Sequence, residues 1–575
     1  MSRTSPRLRR LRAGALASCA LLVAAAGTSS ALSRSGPAAT AAGCTVDYRI
    51  TNQWNGGFQA DVTVTNTGDR VNSWKLEWAF AGDQKVGQAW NASVGQSGKA
   101  VTATNVSWNG TLERGASAGF GFTATHTGAN AVPVAFSLNG VTCDGSGGGP
   151  TDPPTDPPGD RVDNPYEGAS VYVNPEWSAK AAAEPGGDRI AHQPTGVWLD
   201  RIAAIEGAGG AMGLRDHLDE ALTQAGGKPL VVQLVIYNLP GRDCAALASN
   251  GELGPTEIDR YKAEYIDPIA AVLADPRYAS LRIVTTIEID SLPNLVTNTG
   301  GRPTATPQCD TMKANGNYIK GVGYALGRLG AVPNVYNYVD AGHHGWIGWD
   351  DNFAASAQVI HQAATAEGST VDDVHGFITN TANYSALKEE NFTIGDTVNG
   401  TSVRQSTWVD WNRYTDELSF AQAFRQELVR AGFRSGVGML IDTSRNGWGG
   451  TARPAGPGPR TGVDAYVDGG RYDRRLHVGN WCNQSGAGLG ERPRSAPAAG
   501  IDAYVWMKPP GESDGASKAI PNDEGKGFDR MCDPTYEGNA RNGYHRSGAL
   551  PDAPLSGHWF PAQFQELMRN AHPAL

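Results

Sequence analysis

Apolar and polar positions alternate with a period of two along residues 43–144 of this 575-residue chain. Gly, Asn and Asp separate the short alternating runs, as is typical of a β-sandwich. In one run, Trp74, Leu76, Trp78 and Phe80 occupy every second position. Because successive side chains of a strand point to opposite faces, we expect these four residues to share one buried face. The region is therefore predicted to be an all-β domain.

A different pattern covers residues 162–575, where strand-like apolar runs alternate with amphipathic helical runs such as Leu214–Ala225, Ala355–Ala366 and Glu417–Ala431. This alternation predicts an α/β domain built as a parallel barrel, whose functional site lies where the strands end. Polar residues follow the apolar runs at those ends, and they are Asp243, Asp290, Asp340, Asn380, Asp442 and the group Lys508, Glu512 and Asp514.

Two further segments cannot form a core. Residues 145–161 consist mainly of Gly, Pro, Thr and Asp, which predicts a semi-rigid spacer between the two domains. Residues 1–42 begin with several arginines and continue with the apolar run Ala13–Ala26, which is too short to span a bilayer. We therefore predict a secretion signal over residues 1–42, an extracellular location, and no membrane association after the signal is removed.

Composition narrows the class of partner. The net charge is −10, only 18% of residues are charged, and no basic stripe is present, which excludes nucleic acid as a partner. A neutral polysaccharide needs no charge complement, and the 15 tryptophans suit carbohydrate stacking.

The cysteine count agrees with export. Of seven cysteines, Cys19 falls in the predicted signal, and the remaining six allow 15 pairings. No CxxC spacing occurs, and the adjacent side chains of His343 and His344 rarely point the same way. We therefore expect no metal site.

Two strand-like runs deliver carboxylates to their ends. Val235–Cys244 has the sequence VIYNLPGRDC, and Ile287–Leu295 has the sequence IEIDSLPNL. Asp243, which is next to Arg242, and Asp290 thus follow neighbouring strands. Such a pair of carboxylates indicates acid–base chemistry on a polyol.

These two segments closely resemble the signatures of glycoside hydrolase family 6, which contains cellobiohydrolases and endoglucanases. Ile289 stands where the family usually has Pro. The resemblance continues, in order, through VDAGHHGW (Val339–Trp346), GNWCN (Gly479–Asn483) and VWMKPPGESDG (Val505–Gly515). It covers residues 162–575 and implies a distorted β/α barrel of about seven strands.

The resemblance also implies roles for individual residues. Asp290 matches the general acid that protonates the glycosidic oxygen, and such an acid needs a raised pKa. Asp243 matches a residue with a supporting or base-like role, and Asp514 matches the family's proposed base, so both remain candidates. Ser249 matches a residue that holds the reacting water, and Tyr172 matches a tyrosine near the distorted sugar ring. Family members invert the anomeric carbon.

Other matching segments imply contacts with the sugar chain. The substrate-binding candidates are Trp198, Asp200, His343, Trp346, Trp349, Asn380, Trp481, Lys508 and Glu512. Packing beneath a loop is the alternative for Trp346 and Trp349. Their three-residue spacing, with Gly345 and Gly348 beside them, favours an aromatic platform.

Residues 43–144 resemble a family 2 carbohydrate-binding module. Trp54, Trp90 and Trp108 each precede Asn among polar residues, so we expect them to be exposed and to stack on cellulose. The alternative is that these three tryptophans belong to the core. The division into domains and the resemblance together imply three disulfides, which are Cys44–Cys143, Cys244–Cys309 and Cys482–Cys532.

Two stretches bear on the mode of action. Ser444–Asn480 is long, lacks periodicity and resembles the loops that roof the tunnel of bacterial cellobiohydrolases in this family, and Glu389–Gln405 looks inserted. We therefore expect a monomeric, cofactor-independent enzyme that releases cellobiose from the non-reducing ends of cellulose or cello-oligosaccharides. The alternatives are an endo-β-1,4-glucanase and a non-catalytic cellulose-binding protein. The presence of Asp243, Asp290 and Asp514 argues against the second alternative.

Overall fold

The computed structural model describes residues 43–143, apart from residues 55, 128, 129, 131 and 134, and residues 162–575. The predicted secretion signal and spacer lie outside the described residues. The chain divides into two compact units, with the division between Thr155 and Asp156. Within the described part, no helix has both the length and the apolar character that crossing a bilayer requires.

The first unit is a sandwich of two antiparallel sheets. Its strands are β1 Cys44–Trp54, β2 Gly57–Asn66, β3 Lys75–Ala79, β4 Lys85–Trp90, β5 Ala92–Ser97, β6 Ala100–Asn105, β7 Ser117–Thr125, β8 Phe136–Leu138 and β9 Val141–Thr142. One sheet has the order β1-β2-β7-β4, and the other has the order β5-β6-β3-β8-β9. The predicted all-β fold is confirmed.

Alternation positions the core of this sandwich. The residues at 74, 76, 78 and 80 are all buried, as the period-two pattern predicts. Trp74 stacks on Phe120 with 5.7 Å between ring centroids, and Trp78 stacks on Phe122 at 6.0 Å. The disulfide Cys44–Cys143 ties the start of β1 to the chain just after β9.

The second unit is an α/β domain. Its strands are β10 Ser170–Val171, β11 Val197–Leu199, β12 Leu230–Ile236, β13 Arg282–Ile287, β14 Val335–Asp340, β15 Gly376–Thr379, β16 Thr397–Val398, β17 Thr401–Ser402, β18 Gly438–Asp442, β19 Arg494–Ala498 and β20 Ile501–Val505. Its α-helices are α1 Pro175–Ala183, α2 Leu214–Ala225, α3 Ile258–Arg260, α4 Asp267–Leu273, α5 Asn294–Thr297, α6 Pro307–Asn315, α7 Asn317–Gly330, α8 His344–Ile347, α9 Asp350–Ala364, α10 Glu417–Ala431, α11 Val463–Gly470 and α12 Pro561–Arg569.

One parallel sheet organises this domain. It has the order β10-β12-β13-β14-β15-β18-β20, with β11 also parallel to β12 and β19 antiparallel to β20. Because β10 and β11 share the edge of β12, the sheet has seven parallel positions. A single backbone hydrogen bond, from Gly196 N to Trp506 O at 3.0 Å, connects the β11 edge to the β20 edge. The sheet thus curls into the incomplete, distorted barrel that was expected.

Burial on both faces explains the composition of the strands. Every residue of β12 is buried, as is usual for a parallel strand covered on both sides. Leu234 and Ile236 pack in the core that contains Leu218 of α2. Val231 and Val235 pack instead inside the curled sheet. This arrangement leaves the carboxyl ends of the strands as the open edge of the domain.

The two stretches expected to be inserted or irregular are partly ordered. Ser444–Asn480 contains helix α11, and the hairpin β16–β17 lies within Glu389–Gln405. Their apolar residues share a small cluster, which consists of Phe392, Val398, Val403, Val409, Tyr466 and Val467. The expectation of a loop without periodic structure was therefore wrong for α11. The apolar residues of this helix are buried against a second segment that is distant in sequence, so a local pattern does not reveal them.

Candidate active site

The ends of the parallel strands open into a cleft made of two adjoining cavities. The larger, of about 490 Å³, is lined by the predicted residues Trp198, Asp243, Ser249, Asp290, His343, Trp346, Trp349, Trp481, Lys508 and Asp514. The smaller, of about 320 Å³, is lined by Trp198, Asp200, Lys508 and Glu512 among others. Since Trp198, Tyr237, Lys508 and Ser556 line both cavities, the two form one continuous cleft.

Asp243 lies buried after β12 with a positive φ of 54°. The hydroxyl of Tyr237 donates to Asp243 Oδ2. Burial raises the pKa of the Asp243 carboxyl to about 6, although Arg242 and hydrogen bonds from Tyr237 and Ser249 act in the opposite direction. At neutral pH this carboxyl is therefore mostly ionised and poised to accept a proton.

Asp290 follows β13 and is partly exposed to the cavity, with a φ of 52°. Its pKa is raised well above the usual range, first by desolvation and then by the charges of Asp243, Asp340 and Asp514. Desolvation and the neighbouring negative charges therefore favour the protonated form of the Asp290 carboxyl. A raised pKa is what a general acid requires.

A third carboxyl, Asp340 at the end of β14, supports the position of Asp290. Asp340 Oδ2 accepts hydrogen bonds from the backbone N–H groups of Asp290 and Gly342, each at 3.2 Å. Burial raises the pKa of Asp340 to about 7. The sequence placed Asp340 at a strand end, but nothing in its motif indicated that it would hold the backbone of Asp290.

Asp514 is bound by protein groups on both of its oxygens. Arg445 Nη1 donates to Oδ1 at 2.7 Å. Tyr384 Oη donates to Oδ2 at 2.6 Å, and the backbone N–H of Asn483 donates to the same oxygen at 2.8 Å. Protein donors therefore already engage both oxygens of the Asp514 carboxylate.

Tryptophans line the cleft with their ring nitrogens engaged. Trp346 Nε1 donates to Thr297 Oγ1 at 2.8 Å, and Trp198 Nε1 donates to Met507 O at 2.9 Å. The Lys508 ammonium lies 4.8 Å from the centroid of the Trp198 ring. Hydrogen-bonded indoles keep their ring planes fixed, so the half-buried rings offer apolar surface to a pyranose.

Polar groups complete both ends of the cleft. His343 Nε2 lies 3.0 Å from Asn383 Nδ2, and burial lowers the pKa of His343 well below its usual value, which leaves a neutral imidazole. At the smaller cavity, burial opposes ionisation of Asp200, but the hydrogen bond from Arg201 and the charge of Lys526 prevail and lower its pKa. Burial raises the pKa of Glu512.

Two predicted residues do not reach the cleft. Tyr172 is fully buried between sheet and helices, where its hydroxyl lies 2.9 Å from His217 Nδ1. Asn380 is also buried, and its amide donates to Asp442 O at 2.9 Å while its oxygen accepts from Ser385 N at 3.2 Å. Neither residue is among those that line the two cavities, and their roles toward a sugar stay predictions.

Residues that the sequence did not single out support those that it did. Tyr237 lies inside the first signature, directly after β12, and only the turn at positions 240–243 brings its hydroxyl to Asp243. Arg445 and Tyr384 come from different loops and meet at Asp514. Sequence periodicity carries no signal for such long-range polar partners.

In the first unit, two of the three predicted surface tryptophans are exposed. Trp90 is 36% exposed and Trp108 is 70% exposed. Asn109 Nδ2 donates to Asn91 O at 2.8 Å, which links the residues that follow these two tryptophans. The side chain of Trp54 lies outside the described part of the chain.

The predicted disulfides are all present in the described residues. Cys244–Cys309 and Cys482–Cys532 lie in the second unit. In each of these two disulfides, one cysteine belongs to a signature segment of the site. Cys244 is next to Asp243, and Cys482 is next to Trp481. The cross-links therefore tether two of the loops that line the cleft.

A curled parallel sheet with buried carboxyls of raised pKa in a tryptophan-lined cleft is typical of an acid–base hydrolase of carbohydrates. Residues 162–571 match the family described as "Glycosyl hydrolases family 6", and residues 44–143 match the family described as "Cellulose binding domain". The chain belongs to glycosyl hydrolase family 6.

Relatives with similar sequences agree with this assignment. The chain is 50% identical over 434 residues to "Exoglucanase A" of Cellulomonas fimi, which covers 72% of this chain and 49% of that protein. It is 35% identical over 428 residues to the "Probable 1,4-beta-D-glucan cellobiohydrolase C" of Aspergillus fumigatus, which covers 72% of this chain and 78% of that protein. The alignment thus spans about half the length of the bacterial relative.

Solved structures show the same fold. The catalytic domain of Cellulomonas fimi Cel6B is 48% identical, with a TM-score of 0.69, and the match covers 72% of this chain and 97% of that domain. Cellobiohydrolase II (Cel6A) from Humicola insolens, solved in complex with glucose and cellotetraose, is 30% identical with a TM-score of 0.55 and covers 72% of this chain and all of that one.

Proposed function

We propose that the protein is a secreted, monomeric cellulase that hydrolyses β-1,4-glucosidic bonds with inversion and releases cellobiose from non-reducing chain ends. The observation that carries this proposal is that Asp290 and Asp243 line one tryptophan-lined cavity, where the pKa of Asp290 is raised well above its usual range and that of Asp243 is raised to about 6. The names of the relatives, exoglucanase and cellobiohydrolase, support the substrate and the exo mode.

In the proposed reaction, Asp290 donates its proton to the glycosidic oxygen as the bond to the anomeric carbon breaks. A water molecule attacks that carbon from the opposite face and loses a proton toward the Asp243 carboxylate. The hydroxyl of Ser249, which hydrogen-bonds the Asp243 carboxylate, is suited to hold this water. Asp514, engaged by Arg445, is the alternative base in this proposal.

Enclosure of the cleft supports the exo mode over the endo alternative. Arg541 lines the larger cavity, donates to Ala245 O, and lies 3.4 Å from Thr304 O. This guanidinium joins three loops that are distant in sequence across the same cavity. A cleft roofed in this way admits a chain by threading its end, whereas an endo enzyme needs lateral access.

The first unit supplies a separate attachment to cellulose in this proposal. Trp90 and Trp108 expose their rings on one unit, and we assign Trp54 to the same strip by its motif. Attachment of this kind raises the local concentration of chain ends without taking part in hydrolysis.

The proposal is tested by incubating the full chain with amorphous cellulose and measuring reducing ends in the soluble and insoluble fractions. Exo action predicts that nearly all new reducing ends are soluble and that cellobiose is the main product. A substantial insoluble fraction would favour the endo alternative. Absence of any soluble product would favour a non-catalytic binding protein.

A further inference from the structure

An exposed tryptophan lies next to the larger cavity in a backbone conformation that is unfavourable for its type. Trp411 is 56% exposed, with a φ of 65°, and the preceding Asp410 has a φ of 43°. Bulky residues rarely adopt positive φ, whereas Gly or Asn would adopt it at little cost. Retained strain of this kind points to a function for the side chain it presents.

The backbone around Trp411 is fixed to the segment that carries two of the cleft tryptophans. Asp410 lines the larger cavity, and its carbonyl accepts a hydrogen bond from Trp349 Nε1 at 2.7 Å. Asn412 Nδ2 donates to His344 O at 2.8 Å, and Arg413 forms an ion pair with Asp350. Trp411 is thus held at a constant position relative to Trp349.

Arg404 supports Trp411 from beneath. Its Nη2 donates to Trp411 O at 2.6 Å, and its guanidinium carbon lies 5.8 Å from the centroid of the Trp411 ring. The backbone N–H of Trp411 donates back to Arg404 O at 2.6 Å. These contacts restrain the residue while more than half of its side chain stays open to solvent, as a preorganised binding surface requires.

We propose that Trp411 is an additional glucosyl-binding position outside the cavity. An entering β-1,4-glucan chain would stack on Trp411 with a glucosyl unit that lies outside the unit in contact with Trp349. The inference rests on the proposed function, because it assumes that the cleft binds such a chain. We infer a glucan chain as the ligand because the exposed ring is continuous with the cavity: Asp410, the residue before Trp411, is part of the cavity wall. An indole that is open to solvent beside a line of tryptophans matches the C–H face of a pyranose.

Binding as a function of chain length tests the proposal. The full chain carrying Asp290→Asn, which slows turnover, is titrated calorimetrically with cello-oligosaccharides from cellotetraose to cellooctaose. For the Asp290→Asn protein alone, the affinity should increase with each added glucosyl unit up to the longest oligosaccharides. With Trp411→Gly added, cellotetraose should bind equally well, and the longest oligosaccharides should bind about 3- to 10-fold more weakly. Trp411→Phe should restore part of that loss.

Two controls separate stacking from damage to the fold. Trp411→Gly relieves the positive φ, so its melting temperature should not fall. Asp552→Gly relieves the positive φ of another exposed residue, whose φ is 57° and which lines neither cavity, and it should leave every affinity unchanged. An equal loss with Asp552→Gly would overturn the assignment to Trp411.

The remaining outcomes distinguish this inference from the proposed function. If the Asp290→Asn parent binds the whole series but Trp411→Gly matches it at every length, Trp411 is not a binding position and the proposed function stands. An equal loss for cellotetraose and cellooctaose also overturns the inference, because it indicates a disturbed cavity. If the parent binds none of the oligosaccharides, both fail.

Discussion

The buried guanidinium of Arg445 donates to Asp514 at 2.7 Å, and this contact decides how the carboxylates of the cleft divide their work. Asp514 accepts three hydrogen bonds in total, whereas Asp243 receives its bonds from the neutral hydroxyls of Tyr237 and Ser249. Because protein donors already engage both oxygens of Asp514, we propose Asp243 as the acceptor of the water proton.

Breaking that ion pair should cost stability. Arg445→Met leaves the Asp514 charge buried without its partner, and we expect a loss of about 3–5 kcal/mol in the free energy of unfolding. Denaturant titration of the full chain provides the measurement. Arg569→Met, which removes an exposed partner of Glu566, should change stability by less than about 1 kcal/mol. Similar losses in the free energy of unfolding for both variants would show that the buried Arg445–Asp514 pair stabilises the fold no more than an exposed ion pair does.

Removing the general acid should affect hydrolysis and leave attachment unchanged. For Asp290→Ala we expect about 10²- to 10⁴-fold lower turnover on cellulose, because the leaving oxygen is no longer protonated. Substrates with activated leaving groups should lose less, since they need little protonation. Adsorption to insoluble cellulose serves as the control. Equal losses on both classes of substrate would argue against an acid role for Asp290.

The pH profile should report the bond between Tyr237 and Asp243. This hydrogen bond favours the ionised carboxyl, so Tyr237→Phe should raise the pKa of Asp243 above about 6. Because the base must be ionised, activity is lost as pH falls through that pKa. The acidic limb of kcat/KM should therefore move to higher pH in the variant. The basic limb, which reports Asp290, should stay in place. An unmoved acidic limb would contradict the assignment of Asp243.

The sandwich unit offers a contrast between core and surface tryptophans. Trp74→Ala should cost about 3–5 kcal/mol of stability, because it empties a buried site. Trp108→Ala should leave stability nearly unchanged and weaken cellulose adsorption by roughly 0.5–3 kcal/mol. Thermal melts and adsorption isotherms on the same proteins provide both readings. Unfolding of the Trp108 variant, with unchanged binding per folded molecule, would place Trp108 in the core instead.

Local patterns in the sequence predict much of this protein. Period-two alternation located the buried face of the sandwich, and apolar runs ending in Asp243 and Asp290 located the open edge of the curled sheet. Position at a strand end does not say which way a side chain points. Asn380 follows β15, yet it points into the protein and bonds to Asp442 there. Tyr172 follows the short strand β10, which pairs with the start of β12, so it lies away from the open edge.

Long-range polar contacts are what the sequence could not supply. Arg445 reaches Asp514 across 69 positions, and Tyr384 reaches it across 130. Each of these contacts depends on how separate loops fold against one another, which no local periodicity encodes. The same applies to helix α11, whose apolar face is covered by residues from Glu389–Gln405 and the turn that follows it.

The most direct test of exo hydrolysis from the non-reducing end uses cellohexaose labelled at its reducing end. The wild-type chain is given this substrate, and products are followed by chromatography while proton NMR records the anomers. We predict that the first products are unlabelled cellobiose and labelled cellotetraose, with the new reducing end of the cellobiose released as the α-anomer. Early labelled cellobiose as the main product, mixed internal fragments, or release of the β-anomer would contradict the account.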